Sequence, residues 1–162
     1  MTGKTINIAV FADVQNIYYT TREAFKRSFN YRKLWDDLSA RGNIVSANAY
    51  AIDRGDQRQI QFQNTLRKIG FNVQLKPFIQ RSDGSAKGDW DVGITIDVMR
   101  IAPSVDHVIL LSGDGDFDLL MRHVKSEHLV VTEAYGVQAL SADSLIAQVD
   151  SFHPIGPELL MA

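Results

Sequence analysis

The chain has no cysteine, which excludes disulfides and thiolate metal sites together. Any metal ion must then be held by oxygen or imidazole, and oxygen donors favour hard cations such as Mg²⁺ or Mn²⁺. His107, His123, His128 and His153 are scattered without ligand spacing, so no zinc site is expected. No apolar stretch approaches the length of a membrane span, and the opening MTGKTINIAVFADVQN holds an apolar run too short for a signal peptide. A cytoplasmic protein with no membrane association is the expectation. A large excess of one charge is missing too. With a net charge of −2, the chain is unlike the basic proteins that coat nucleic acid, although an enzyme acting through metal ions needs only a local basic rim. Internal repeats, low-complexity tracts and linkers are absent, so residues 1–162 read as one domain, long enough to bury a core.

What is present is an alternation of two patterns. Ile6–Ala12 is a continuous apolar run rich in β-branched residues, the pattern of a strand buried on both faces. Similar runs recur at Ile44–Ile52, Phe71–Ile79, His107–Leu111 and Leu129–Tyr135. Between them, helical spacing covers Asn16–Phe29, Tyr31–Ala40, Arg54–Ile69, Asp91–Ile101, Phe117–Lys125 and Ser141–Gln148. Gly42 and Gly70 are placed to end helices, and Ser141 to cap the last one. Strands alternating with helices predict an α/β fold: a doubly wound, mainly parallel sheet of at least five strands with helices on both faces. Gln80–Gly88 (QRSDGSAKG) reads as a polar loop.

The acidic residues fall at the strand ends. Asp13 follows the first strand in FADVQN, and Asp114 and Asp116 follow the fourth in LLSGDGDF. Ligands of parallel sheets collect at the strand C-termini where strand order reverses, so neighbouring first and fourth strands would set Asp13 against Asp114. Asp91, in KGDWD, starts the helix that leads back to the fourth strand and can enter the same crevice. Crowded carboxylates repel one another and are driven toward protonation unless a divalent cation relieves them. Asp13, Asp91, Asp114 and Asp116 are therefore the expected metal ligands and catalytic residues for an in-line phosphoryl displacement. Asp is also a favoured N-cap, which offers Asp116 and Asp89 a purely structural role.

Asn16, one turn past Asp13, is a candidate for contact with phosphate or for capping its helix. Ser112 is a candidate donor to a carboxylate or phosphate, and Lys87 for neutralising the scissile phosphate. Arg54, Arg58, Arg81 and Lys87 form the expected basic rim, with Trp90 able either to stack a base or to pack under the loop. Asp97 lies six residues past Asp91 and so faces elsewhere on the helix; it reads as a buried hydrogen-bonding residue.

The segments FADVQNIYY, KGDWDVGITIDVM and LLSGDGDFDLLMRHV, with the final AYG followed by SADSL, together resemble the NYN domain, the PIN-like nuclease branch that includes the bacterial LabA-like proteins. The resemblance implies a Rossmann-like PIN fold, an acidic active site and Mg²⁺- or Mn²⁺-dependent ribonuclease activity. It carries the acidic positions onto Asp13, Asp91, Asp114 and Asp116 and the accompanying polar one onto Asn16. It also implies a further acidic position at Asp97, which the helix geometry sets aside. Members of this group also act as regulators. The expected partner is RNA, and a homo-oligomer is compatible with the sequence. A regulatory module that binds RNA or protein through the same crevice is the alternative function. A small-molecule phosphatase is disfavoured because FADVQN lacks an Asp-x-Asp pair.

Overall fold

The computed structural model describes residues 5–77, 79–80, 86–87 and 89–162. Arg81 and the side chain of Lys87 lie outside what is described. The chain begins with β1 (Asn7–Asp13), α1 (Val14–Phe25), α2 (Tyr31–Ser39), β2 (Asn43–Asp53), α3 (Gln57–Ile69) and β3 (Asn72–Pro77). A small hairpin, β4 (Ile79–Gln80) and β5 (Ala86–Lys87), precedes α4 (Asp91–Ile101). The second half runs β6 (His107–Leu111), α5 (Asp118–His128), β7 (Val131–Gly136), α6 (Asp143–Gln148) and β8 (Ser151–Pro154).

Six strands form one sheet in the order β3-β2-β1-β6-β7-β8, and every pairing is parallel. The first half of the chain winds outward from β1 to one edge and the second half from β6 to the other. The order therefore reverses between β1 and β6, the two central strands. Their apolar runs follow from that position: Ile8 to Ala12 and Val108 to Leu111 are fully buried. Alternate residues serve the two faces. Ile8, Val10, Ile109 and Leu111 pack with Ile17, Leu34, Leu38 and Leu66 of α1, α2 and α3. Ala9, Phe11, Val108 and Leu110 pack with Ile94, Val98, Met121 and Leu145 of α4, α5 and α6.

Several boundaries differ from those expected. The predicted strand Phe71–Ile79 stops at Pro77, and Ile79 pairs instead with Lys87 in the hairpin, so Gln80, Ala86 and Lys87 of the predicted loop Gln80–Gly88 are ladder residues. β8 was not anticipated because SFHP is short and carries no β-branched residue. Ser141 does not cap α6; its Oγ donates to the Val137 carbonyl (2.7 Å) and Ala142 takes the cap position. Gly70 ends α3 as expected, at φ 137°, a value that favours glycine. Gly42 lies beyond the cap of α2, which is Ala40. It is needed because an added Cβ would strike the Ile6 carbonyl.

Candidate active site

The crevice above the switch point is built from the last residue of β1 and the first residues after β6. Ala12 pairs with Leu111, so Asp13, the last residue of β1, and Ser112, the first after β6, come next to one another. Asp13 is the N-cap of α1: its Oδ1 accepts from the Asn16 amide (3.4 Å) and its Oδ2 from the Ser112 hydroxyl (3.1 Å). The turn after β6 is tied to this pair. Asp114 N donates to Ser112 Oγ (3.1 Å), Gly113 N to Asn16 Oδ1 (3.0 Å), and Asp116 N to Asp114 Oδ1 (2.9 Å). Glycine is required at 113 because a Cβ would run into Ser141. Asp91, in the first turn of α4, completes the group. Its amide donates to Asp89 Oδ1 (3.2 Å).

Carboxylate oxygens of Asp13, Asp91 and Asp114 lie within 4.8 Å of one another. Burial and crowding mark the ionisation of Asp13 and Asp91. Burial pushes the Asp13 carboxyl up to about 6; the Asn16 and Ser112 hydrogen bonds oppose this and the charges of Asp114 and Asp89 reinforce it. Asp91 is pushed up to about 7, first by burial, then by Asp114 and Asp89, by a hydrogen bond shared with Asp116, and by Asp13. Three carboxyl groups this close, two of which resist ionising, suit a small hard divalent cation, which replaces repulsion with attraction.

The expected site residues thus divide. Asp13, Asp91 and Asp114 converge; Asp116 is exposed and adjoins Asp91 at the margin. Ser112 is fully buried and donates to Asp13, so of its two candidate partners it takes the carboxylate. Asn16 sits inside α1, where Asp13 holds the cap, and fastens the Gly113 turn. Asp97 lies outside the group: its Oδ2 accepts from Tyr50 Oη (2.7 Å) and Gln74 Nε2 (3.2 Å), its Oδ1 from Arg100 (3.3 Å). Trp90 is packed rather than presented. Its Nε1 donates to the Ala51 carbonyl (2.9 Å), Gly93 is a glycine because the indole occupies the space of a Cβ, and Lys76 Nζ lies 4.6 Å from the ring centre.

Sequence reasoning gave Asp89 only a capping role. It does accept from the Asp91 amide, yet its charge also acts on both Asp13 and Asp91. The i, i+2 pair in KGDWD was the available signal.

The family model of the NYN domain matches residues 7–156. The chain belongs to this family. NYN domains are PIN-like nuclease domains, and the acidic group described above is present in this one. The chain is 28% identical over 149 residues to the low amplitude and bright protein LabA of Synechococcus elongatus, covering 86% of this chain and 80% of LabA. A crystal structure of a protein of unknown function from Vibrio parahaemolyticus is 48% identical, superposes with a TM-score of 0.93, and covers 99% of both chains. Ribokinase from Giardia lamblia shares the fold alone, at 11% identity and a TM-score of 0.51 over 96% of this chain and 59% of the kinase. Among the described residues no helix is long and apolar enough to cross a membrane.

Proposed function

We propose that this NYN domain is a divalent-metal-dependent ribonuclease that hydrolyses phosphodiester bonds at the Asp13–Asp91–Asp114 crevice. The observation that carries the reading is the convergence of three carboxylates at the switch point, an arrangement that is costly unless a cation is bound. Asp13, Asp91 and Asp114 would hold Mg²⁺ or Mn²⁺, which when bound would supply Lewis-acid stabilisation of charge on phosphate. Asp116, exposed beside Asp91, would orient the attacking water. Ser112 and Asn16 act through other groups: Ser112 fixes Asp13 Oδ2 and the Asp114 amide, and Asn16 fixes the Gly113 turn between them. Protons retained by Asp13 and Asp91 leave when a cation binds, so metal affinity rises with pH.

Two measurements test this. Purified protein is expected to cleave single-stranded RNA with Mn²⁺ and to stop on chelation. If no RNA is cleaved with Mn²⁺, the catalytic reading fails and a binding module of the same fold takes its place. Independently of turnover, Mn²⁺ at about a hundred times its Kd should stabilise the fold by about 2.7 kcal/mol, roughly 5–10 °C in Tm for a chain of this size. Asp13→Asn combined with Asp114→Asn should erase most of that gain; an equal Mn²⁺ response in both proteins would mean the ligands lie elsewhere.

A further inference from the structure

A groove of about 820 Å³ lies beside the acidic crevice, lined by residues of α1, α3, the start of α2 and the end of β2. It reaches the same sheet edge: Val14 and Gln15, which line it, directly follow Asp13, and Ala51 and Ile52 directly follow Tyr50, the register partner of Asp13. Its size is within the range of about 300–1,000 Å³ typical of ligand sites.

The charge of the groove is opposite to that of the chain. Arg22, Arg32, Arg54 and Arg58 line it against one carboxylate, Asp56, which already accepts from the Arg58 amide (2.9 Å). The protein as a whole carries a net −2, so the concentration of guanidinium here is local, as a phosphate backbone requires. Aromatic surface accompanies the charge. Tyr18 and Tyr19 are 48% and 53% exposed, meet edge to face with ring centres 5.3 Å apart, and the Arg22 guanidinium lies 5.5 Å from the centre of the Tyr18 ring. Exposed rings with cations beside them are the usual platform for an unstacked base. One polar atom in the groove is also unsatisfied: Gln59 Oε1 is buried and has no hydrogen-bond partner. Buried acceptors are nearly always paired, and every unpaired nucleobase carries an N–H on its Watson–Crick edge that could satisfy this one.

We infer that the groove holds the single-stranded RNA flanking the scissile phosphate, with phosphates on the arginines, a base against Tyr18 and Tyr19, and a base N–H on Gln59. The inference rests on the ribonuclease reading and gives that site its strand preference. A base inside a duplex offers neither its face nor its Watson–Crick edge, so paired RNA is excluded from this groove.

The test uses short fluorescein-labelled single-stranded RNAs, bound in EDTA by anisotropy and cleaved in Mn²⁺. Arg22→Glu with Arg58→Glu should weaken binding at least about tenfold and reduce the salt dependence of log K by about 0.7 for each lost phosphate contact. Tyr18→Ala should weaken it about tenfold by loss of stacking, and Gln59→Ala should weaken it less while narrowing differences among the four homopolymers. In cleavage these variants should raise KM with kcat retained. Arg122→Glu, at an exposed position of α5, is the charge control and should behave as wild type. Thermal unfolding and its Mn²⁺ shift report whether the doubly reversed variant folds; if it does not, Tyr18→Ala and Gln59→Ala decide. Wild-type-like binding and KM in the groove variants, with Asp114→Asn still inactive, would overturn the groove and leave the nuclease reading standing. Groove variants that lose RNA binding in a protein that never cleaves would support the groove and sink catalysis. Binding of an RNA duplex as tightly as the single strand would overturn the strand preference, and a wild type that neither binds nor cleaves RNA would overturn both.

Discussion

Asp114→Asn is expected to lower the rate of RNA cleavage by about two to three orders of magnitude, in keeping with removal of a group that acts mainly in the transition state. The substitution keeps the shape of the turn, since an asparagine oxygen can still accept from the Asp116 amide as Asp114 Oδ1 does at 2.9 Å. What disappears is a full negative charge among three oxygens that lie within 4.8 Å of one another. That charge also raises the carboxyls of Asp13 and Asp91, so both ionise more readily in the variant. RNA affinity without metal should hold or rise, because an anion that repels phosphate has gone. Asp97→Asn is the control. It disturbs hydrogen bonds to Tyr50, Gln74 and Arg100, so it should lower stability and leave the rate per folded molecule unchanged. Equal cleavage by wild type and Asp114→Asn would assign the activity to another site.

The largest stability effect is expected at the opposite end of β7. Glu133 is 3% exposed and accepts three hydrogen bonds: from Arg41 Nη2 (2.6 Å) and His107 Nδ1 (2.8 Å) at Oε2, and from His153 Nε2 (2.7 Å) at Oε1. Burial alone would raise its pKa, but the His153, Arg41 and His107 hydrogen bonds outweigh it and hold the carboxyl at about 2. Glu133→Gln turns an amide N–H toward one of these donors and leaves Arg41 without its charge partner. The loss should be about 3–5 kcal/mol, as for other broken buried pairs, or roughly 10 °C in Tm. The sign with pH follows from the direction of the shift. The folded-state pKa is depressed from the usual 4.5, so the ionised carboxylate stabilises fully above that value and progressively less as pH falls toward 2. The stability linked to this one ionisation is about 3 kcal/mol. Urea unfolding at neutral pH and again near the folded pKa should show the gap between wild type and variant closing. A gap of constant size would mean that shape, not charge, accounts for the effect.

This acidic centre also shows why the pattern of residues along the chain was an uneven guide. Arg41, His107 and His153 are 92, 26 and 20 residues from Glu133. Four histidines scattered along the chain gave no local sign that two of them share a buried carboxylate. The acidic crevice was easier to read. Asp13 and the SGDGD turn each follow an apolar run long enough to be a central strand, and parallel sheets gather ligands at such ends. Asp116 and Asp89 were harder. Both accept or adjoin within a turn, and the neighbours that set their surroundings come from other segments.

Periodicity along the chain was sufficient for the α/β alternation, for β1 and β6 as doubly buried strands, and for carboxylates at their C-terminal ends. It was sufficient because burial on both faces leaves a continuous apolar run that any neighbour would require. The choice of which carboxylates meet, the burial of Ser112 against Asp13, the packing of Trp90 on Ala51 and the gathering of Arg22, Arg58 and Tyr18 around one groove depend on strand order, register and helix docking. Those contacts join residues far apart in the chain, and a side chain's reach is short compared with the distances the fold must close, so they exist only once β1 lies between β2 and β6.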